Sequence, residues 1–115
     1  MKAGQARVLL TGATGGIGQA VAAALVRAGA SVLLAARSPA RLAAQARALV
    51  PLCASGSRAS IEWHEVDLES SGSIHRLARA AIAWDCNTVV HCAGLAAFGA
   101  LDRVDPDQMA SVMQV

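Results

Sequence analysis

Short unbroken apolar runs alternate along this chain with stretches in which apolar residues recur every three or four positions. The first pattern predicts strands covered on both faces, the second amphipathic helices. Val8, Leu9 and Leu10 open the series and predict a strand over 7–12. An Ala-, Val- and Leu-rich helix follows over 16–28, with Gly29 placed to cap its end. The run SVLLAA at 31–36 predicts a second strand. Ser38-Pro39 reads as an N-cap with proline at the first helical position. That helix runs to about residue 50, with Leu42, Ala46 and Leu49 on one face, and Pro51 stops it. Residues 53–60 are a polar Gly/Ser loop. A partly alternating strand at 61–67 precedes a helix starting at 71–73, with Ile74, Leu77, Ala78 and Ala81 at helical spacing. TVVH at 88–91 predicts a fourth strand, 94–100 a loop of small residues, and Asp105-Pro106 the start of a fourth helix. About four strands alternating with four helices imply an α/β fold: a parallel sheet with right-handed crossovers and no internal domain boundary.

The most informative segment is TGATGGIG at 11–18, which joins the first strand to the first helix. Gly12, Gly16 and Gly18 allow a sharp turn and leave no Cβ between the backbone and a ligand. The N–H groups and dipole of the helix N-terminus then face an anion, and the expected one is a pyrophosphate. The alternative is a glycine-rich turn that binds nothing. A P-loop would need Gly-Lys-Ser/Thr where this chain has Gly16-Ile17-Gly18.

Composition narrows the classes without choosing among them. The 115 residues suffice for one domain, and 55% are hydrophobic but only 3% aromatic, which favours small-residue helices packed on a sheet. No apolar stretch reaches the length needed to span a bilayer, and the first seven residues lack the apolar core of a signal peptide. Cys53, Cys86 and Cys92 are odd in number and show no C-x-x-C spacing, so neither a disulfide scaffold nor a metal site is expected and a reducing cytoplasm is the default. Residues 1–61 carry seven Lys or Arg and no acid, whereas 62–115 carry eight acids and three arginines. A basic first half suits a polyanionic ligand. Arg41, Arg47 and Arg58 read as solvated helix and loop residues. Nucleic acid fits poorly, because the first aromatic is Trp63 and no stacking residue interleaves with the basic ones.

Four motifs in register carry a resemblance: TGATGGIG at 11–18, Arg37 after the second strand, Asp67-Leu68 after the third, and HCAG at 91–94 after the fourth. Together they resemble the N-terminal, cofactor-binding portion of the short-chain dehydrogenase/reductase (SDR) family, across essentially the whole chain. The resemblance implies a Rossmann-like sheet with helices on both faces. It also implies a parent oxidoreductase that moves hydride between a nicotinamide and a carbonyl or alcohol substrate. Gly12, Gly16 and Gly18 match the family's pyrophosphate turn, with Thr14 and Ile17 adding contacts. In the family an acid at the end of the second strand binds the ribose 2′-hydroxyl, and a basic residue accommodates a 2′-phosphate. Here Ala36 stands at the acid's position and Arg37 follows, with the Ser38 hydroxyl beside it. NADP(H) is therefore expected over NAD(H); the alternative is that Arg37 merely caps a sheet edge. Asp67 matches the family's acid that meets the adenine amino group, with Leu68 alongside, against the alternative of a solvated loop aspartate. HCAG matches the family's NNAG, so Ala93 and Gly94 carry over as backbone passing the adenosine ribose. His91 and Cys92 replace both asparagines and read as a strand-end histidine and a small apolar residue.

The family's chemistry also needs a Tyr-x-x-x-Lys pair, a Ser and an Asn. This chain has no tyrosine, and its only lysine is Lys2. The expectation is that 1–115 is the NAD(P)-binding part of a longer reductase whose catalytic half is absent, and which forms a homo-oligomer when complete. The alternatives are a non-catalytic dinucleotide-binding or regulatory module, and a scaffold that kept the fold alone.

Overall fold

The computed structural model describes residues 2–92. Four strands, β1 (Arg7–Thr11), β2 (Ser31–Ala36), β3 (Ile61–Glu65) and β4 (Thr88–His91), alternate with α1 (Gly16–Arg27), α2 (Pro39–Leu49) and α3 (Ser71–Ala83). The predicted loop at 94–100 and helix from 105 lie outside the described residues. All pairings are parallel and the strand order is β3-β2-β1-β4. Leu9 of β1 lies between Leu33 of β2 and Val89 of β4.

The unbroken apolar runs of β1 and β2 feed two cores at once, because successive side chains point to opposite faces of the sheet. Leu10, Val32 and Leu34 pack with Ala22 and Val26 of α1 and with Leu42 and Leu49 of α2. Leu9, Leu33 and Ala35 pack on the other face with Val66 and with Leu77 and Ala81 of α3. Every residue of β2 is buried. At the amino ends of β1 and β4, the Arg7 guanidinium stacks 4.1 Å from the Trp84 ring centroid and donates to the Trp84 carbonyl at 2.7 and 2.9 Å.

Local signals set the boundaries, with small shifts from expectation. β1 stops at Thr11, one residue early, because Gly12 takes φ +66°. β3 stops at Glu65, though Val66 still donates to the Ala36 carbonyl at 2.8 Å, and Asp67 begins a turn. On α3 the buried row is Ser73, Leu77 and Ala81; Ala78, expected on that face, is exposed. A polar residue takes the place because the Ser73 hydroxyl accepts the Asp67 N–H at 2.8 Å. Ser38 caps α2 as expected, its hydroxyl accepting from the Arg41 N–H at 3.3 Å.

α1 ends in a Schellman motif, in which Gly29 donates to Val26 and Ala30 to Leu25, each at 3.0 Å. Gly29 holds φ +95°, and among the described residues a Cβ there would meet nothing closer than Gly4 Cα at 4.0 Å, its chain neighbours aside. The cost of a side chain is thus conformational rather than steric. Gly29→Ala is expected to lower stability by about 1 kcal/mol, read as an earlier urea midpoint at unchanged slope.

Candidate functional site

The carboxyl ends of the four strands share one edge of the sheet. From β1 the chain proceeds through α1 to β2 on one side, while β4 adds on the other. The chain leaving β1 thus turns away from β4, and the carboxyl ends of β1 and β4 border the position at which open α/β sheets receive ligands.

The turn after β1 sits at this point. Ala13 donates to the Ala35 carbonyl of β2 at 3.2 Å, and Gly15 donates back to the Gly12 carbonyl at 3.2 Å. Gly18 is fixed by close packing: a Cβ there would overlap the Gly12 carbonyl oxygen and lie 2.9 Å from Ala13 C and Cα. Gly16 is the reverse case, since a Cβ there would meet nothing within 4 Å among the described residues beyond its own helix and chain neighbours. One glycine lets α1 approach the turn, and the other keeps the outer side of the turn open. The N–H groups of Thr14, Gly16 and Ile17 take no hydrogen-bond partner among the described residues. Those of Gly16 and Ile17 open α1, where the helix dipole favours an anion. The Ile17 side chain is 73% exposed beside them. Free donors and a cradle that a Cβ would fill together fit a pyrophosphate.

Two residues that sequence patterns do not single out hold this turn. Gln45 of α2 donates from Nε2 to the Ala13 carbonyl at 2.8 Å, and Gln19 of α1 donates to the Thr14 carbonyl at 2.8 Å. Gln45 Oε1 is buried and unpartnered among the described residues. With Thr14 and Arg41, the two glutamines line a groove of about 610 Å³ between α1 and α2. Arg41 is exposed, as are Arg47 and Arg58.

The other expected site residues fall at the ends of neighbouring strands. Arg37 is exposed just past β2, and Ser38 follows half-buried, its hydroxyl proton still free to donate while its oxygen caps α2. Asp67 is exposed past β3 and accepts the Glu69 N–H at 3.0 Å, which leaves most of its acceptor capacity open. Leu68 packs against the α3-side core. Ala93 and Gly94 lie outside the described residues. At the end of β4 the His91 ring nitrogen Nδ1 pairs with the buried Thr11 hydroxyl, tying the two strands that border that position. Cys92 packs against the α1/α2-side core, and burial raises its thiol above the ordinary range.

The KR-domain family model matches residues 6–115 of this chain. The chain belongs to the KR-domain family of short-chain dehydrogenases/reductases. A short-chain type dehydrogenase/reductase from Mycobacterium ulcerans is 35% identical with a TM-score of 0.71, over 94% of this chain and 40% of that one. An NADH-dependent reductase complexed with NAD is 29% identical with a TM-score of 0.66, over 95% of this chain and 45% of that one. An alcohol dehydrogenase from the archaeon Thermococcus sibiricus, complexed with 5-hydroxy-NADP, is 27% identical with a TM-score of 0.67, over 96% and 46%. This KR-family chain thus spans less than half the length of these structures. No curated protein matches it. The family is one of oxidoreductases, and its Rossmann-like architecture is the one the strand order here displays. Among the described residues no helix is long and apolar enough to cross a membrane, and no three His, Cys, Asp or Glu side chains group as metal ligands.

Proposed function

We propose that this chain is the dinucleotide-holding portion of an NADP(H)-dependent reductase, with Gly12, Thr14, Gly16, Ile17 and Gly18 receiving the pyrophosphate. The observation that carries the reading is the glycine turn itself, where among the described residues the N–H groups at the mouth of α1 take no partner and nothing stands over Gly16. Arg37 and Ser38 receive the 2′-phosphate, Asp67 and Leu68 meet the adenine, and Ala93-Gly94 passes the ribose. The preference for NADP(H) rests on Arg37 standing after β2 where an NAD-binding site would place an acid. Complexes with NAD and with an NADP analogue among the similar structures support a nicotinamide dinucleotide of either kind.

When bound, the dinucleotide supplies or accepts the hydride. The residues here would bind and orient it. Proton transfer to a carbonyl, or from an alcohol, falls to groups in a catalytic half beyond this portion, since the sequence holds no tyrosine and no lysine but Lys2. A small-molecule carbonyl or alcohol substrate, a homo-oligomer and a cytoplasmic setting belong to the same reading of the complete protein. The missing tyrosine is also what favours a second reading, a non-catalytic dinucleotide-binding module.

Titration with NADPH and NADH, followed by nicotinamide fluorescence, tests the cofactor assignment: tighter NADPH binding is expected, and equal or reversed affinity sinks the preference. The mass of the native gene product separates the two readings. A product of 11.7 kDa that binds NADPH without oxidising it favours the module; one more than twice as long, carrying the Tyr-x-x-x-Lys pair, favours the reductase.

A further inference from the structure

We propose that Gln45 is a positioning residue for the glycine turn, setting the orientation of the peptide that offers the Thr14 N–H to the dinucleotide. The inference rests on the dinucleotide reading above and adds to it a residue outside the glycine motif and on a different helix.

A trans peptide is planar, so its C=O and N–H point in opposite directions. None of the described peptide bonds is cis. Gln45 Nε2 pulls the Ala13 carbonyl toward α2 at 2.8 Å. The N–H on the far side of that same peptide belongs to Thr14 and is therefore aimed away from α2. It has no partner among the described residues, so a ligand is left to receive it. Gln19 does not duplicate this, because it acts on the next peptide, whose N–H is that of Gly15 and is already engaged by Gly12.

The state of the Gln45 amide supports a dedicated role. Its Oε1 is buried without a partner among the described residues, while its Nε2 makes one good bond. An unpaired buried acceptor costs stability, and a methionine of similar shape would remove this one while leaving the buried Ala13 carbonyl without its donor, an exchange of one unpaired acceptor for another. The glutamine thus spends its N–H end on the Ala13 carbonyl and leaves its own oxygen unpaired among the described residues, so what it adds is the orientation of that peptide. The orientation of the amide is not interchangeable, since turning it over would set two oxygens against each other at Ala13. Gln45 also stands on α2, the helix whose first turn follows Arg37 and Ser38. One rigid helix thus joins the expected 2′-phosphate grip to the pyrophosphate turn.

The test compares Gln45→Met and Gln45→Lys in the full chain. Q45M keeps the bulk and loses the donor. It is expected to weaken NADPH and NADH equally, by about three- to tenfold, with the unfolding midpoint little changed because one unpaired buried acceptor replaces another. Binding of adenosine 2′-monophosphate, which lacks the pyrophosphate, is expected to stay unchanged. Q45K restores an N–H donor and is expected to recover most of the dinucleotide affinity. Native affinity in Q45M, a loss that follows the unfolding midpoint, or no recovery in Q45K would overturn the assignment. If Q45M does not fold, amide exchange in the native chain decides: slowing of the Thr14 N–H by dinucleotide supports the role, and no slowing overturns it. A native chain that binds neither dinucleotide refutes the proposed function itself, which is a different outcome from a native chain that binds while Q45M is unaffected.

Discussion

Gly18→Ala is expected to cost about 3 kcal/mol of stability and to abolish dinucleotide binding. The added Cβ would overlap the Gly12 carbonyl oxygen and press on Ala13 C and Cα at 2.9 Å. All three atoms are backbone, so no rotamer change relieves the contact. Either α1 tilts away from the sheet or the turn deforms. Tilting pulls Ala22 and Val26, both fully buried, out of the core they share with Leu10 and Leu34. Deforming the turn breaks the 3.2 Å bonds from Ala13 to β2 and from Gly15 to Gly12. A loss of this size would lower the thermal midpoint by more than about 10 °C in a domain this small. A midpoint within a few degrees of the native value would show that the turn has slack the packing does not suggest.

Gly16→Ala supplies the contrast within the same motif. A Cβ there meets nothing within 4 Å among the described residues outside its own helix and chain neighbours, and alanine in the first turn of α1 is favoured over glycine. The midpoint should hold or rise slightly, while a dinucleotide seated on the turn would meet the new methyl. Lost stability at position 18 and lost affinity at position 16 would separate the two jobs glycine does in one motif. A Gly16→Ala chain that binds NADPH normally would place the pyrophosphate elsewhere.

That division of labour is not legible in the sequence, where the three glycines read alike. The strand–turn–helix unit itself is legible, because an unbroken apolar run, a glycine cluster and an Ala/Leu-rich stretch agree on one local structure. Caps are legible for the same reason: Ser38-Pro39 and Gly29 act through their own backbone geometry and need no distant partner. Contacts between elements are another matter. Ser73 reads as a polar residue at a helix start, and its burial follows only from the Asp67 N–H that β3 brings beneath it. Gln45 lies three residues after Leu42 and four before Leu49, beside the apolar face of α2, and nothing at 39–49 indicates that Ala13, 32 positions earlier, lies within reach. His91 sits at a strand end as expected, yet its bond to Thr11 depends on β4 adding beside β1 rather than beside β3. Periodicity fixes which face a residue takes; which groups meet there depends on strand order.

Arg37→Asp is expected to invert cofactor choice. Arg37 is exposed at the carboxyl end of β2, so it contributes little to the fold, and the variant should unfold at the native midpoint. Toward NADPH, the change removes a fork of donors suited to two phosphate oxygens and puts a carboxylate in its place. Loss of attraction and onset of like-charge repulsion together predict a fall of roughly 100-fold in NADPH affinity at low salt. Toward NADH, the carboxylate gains the ribose 2′-hydroxyl as a donor, and affinity should rise. The ratio of the two affinities is the informative quantity, because a general disturbance of the site would lower both. Ionic strength supplies an independent check. An exposed Arg–phosphate contact weakens as salt screens it, whereas the uncharged 2′-hydroxyl does not respond in that way. Native NADPH affinity should therefore fall with added salt more steeply than NADH affinity, and R37D should lose the difference. An unchanged ratio in R37D, with the salt difference intact, would leave Arg37 as a sheet-edge residue and move the 2′-phosphate grip to another cation. Arg41, exposed one turn into α2 and lining the groove with Thr14, is then the residue to replace next.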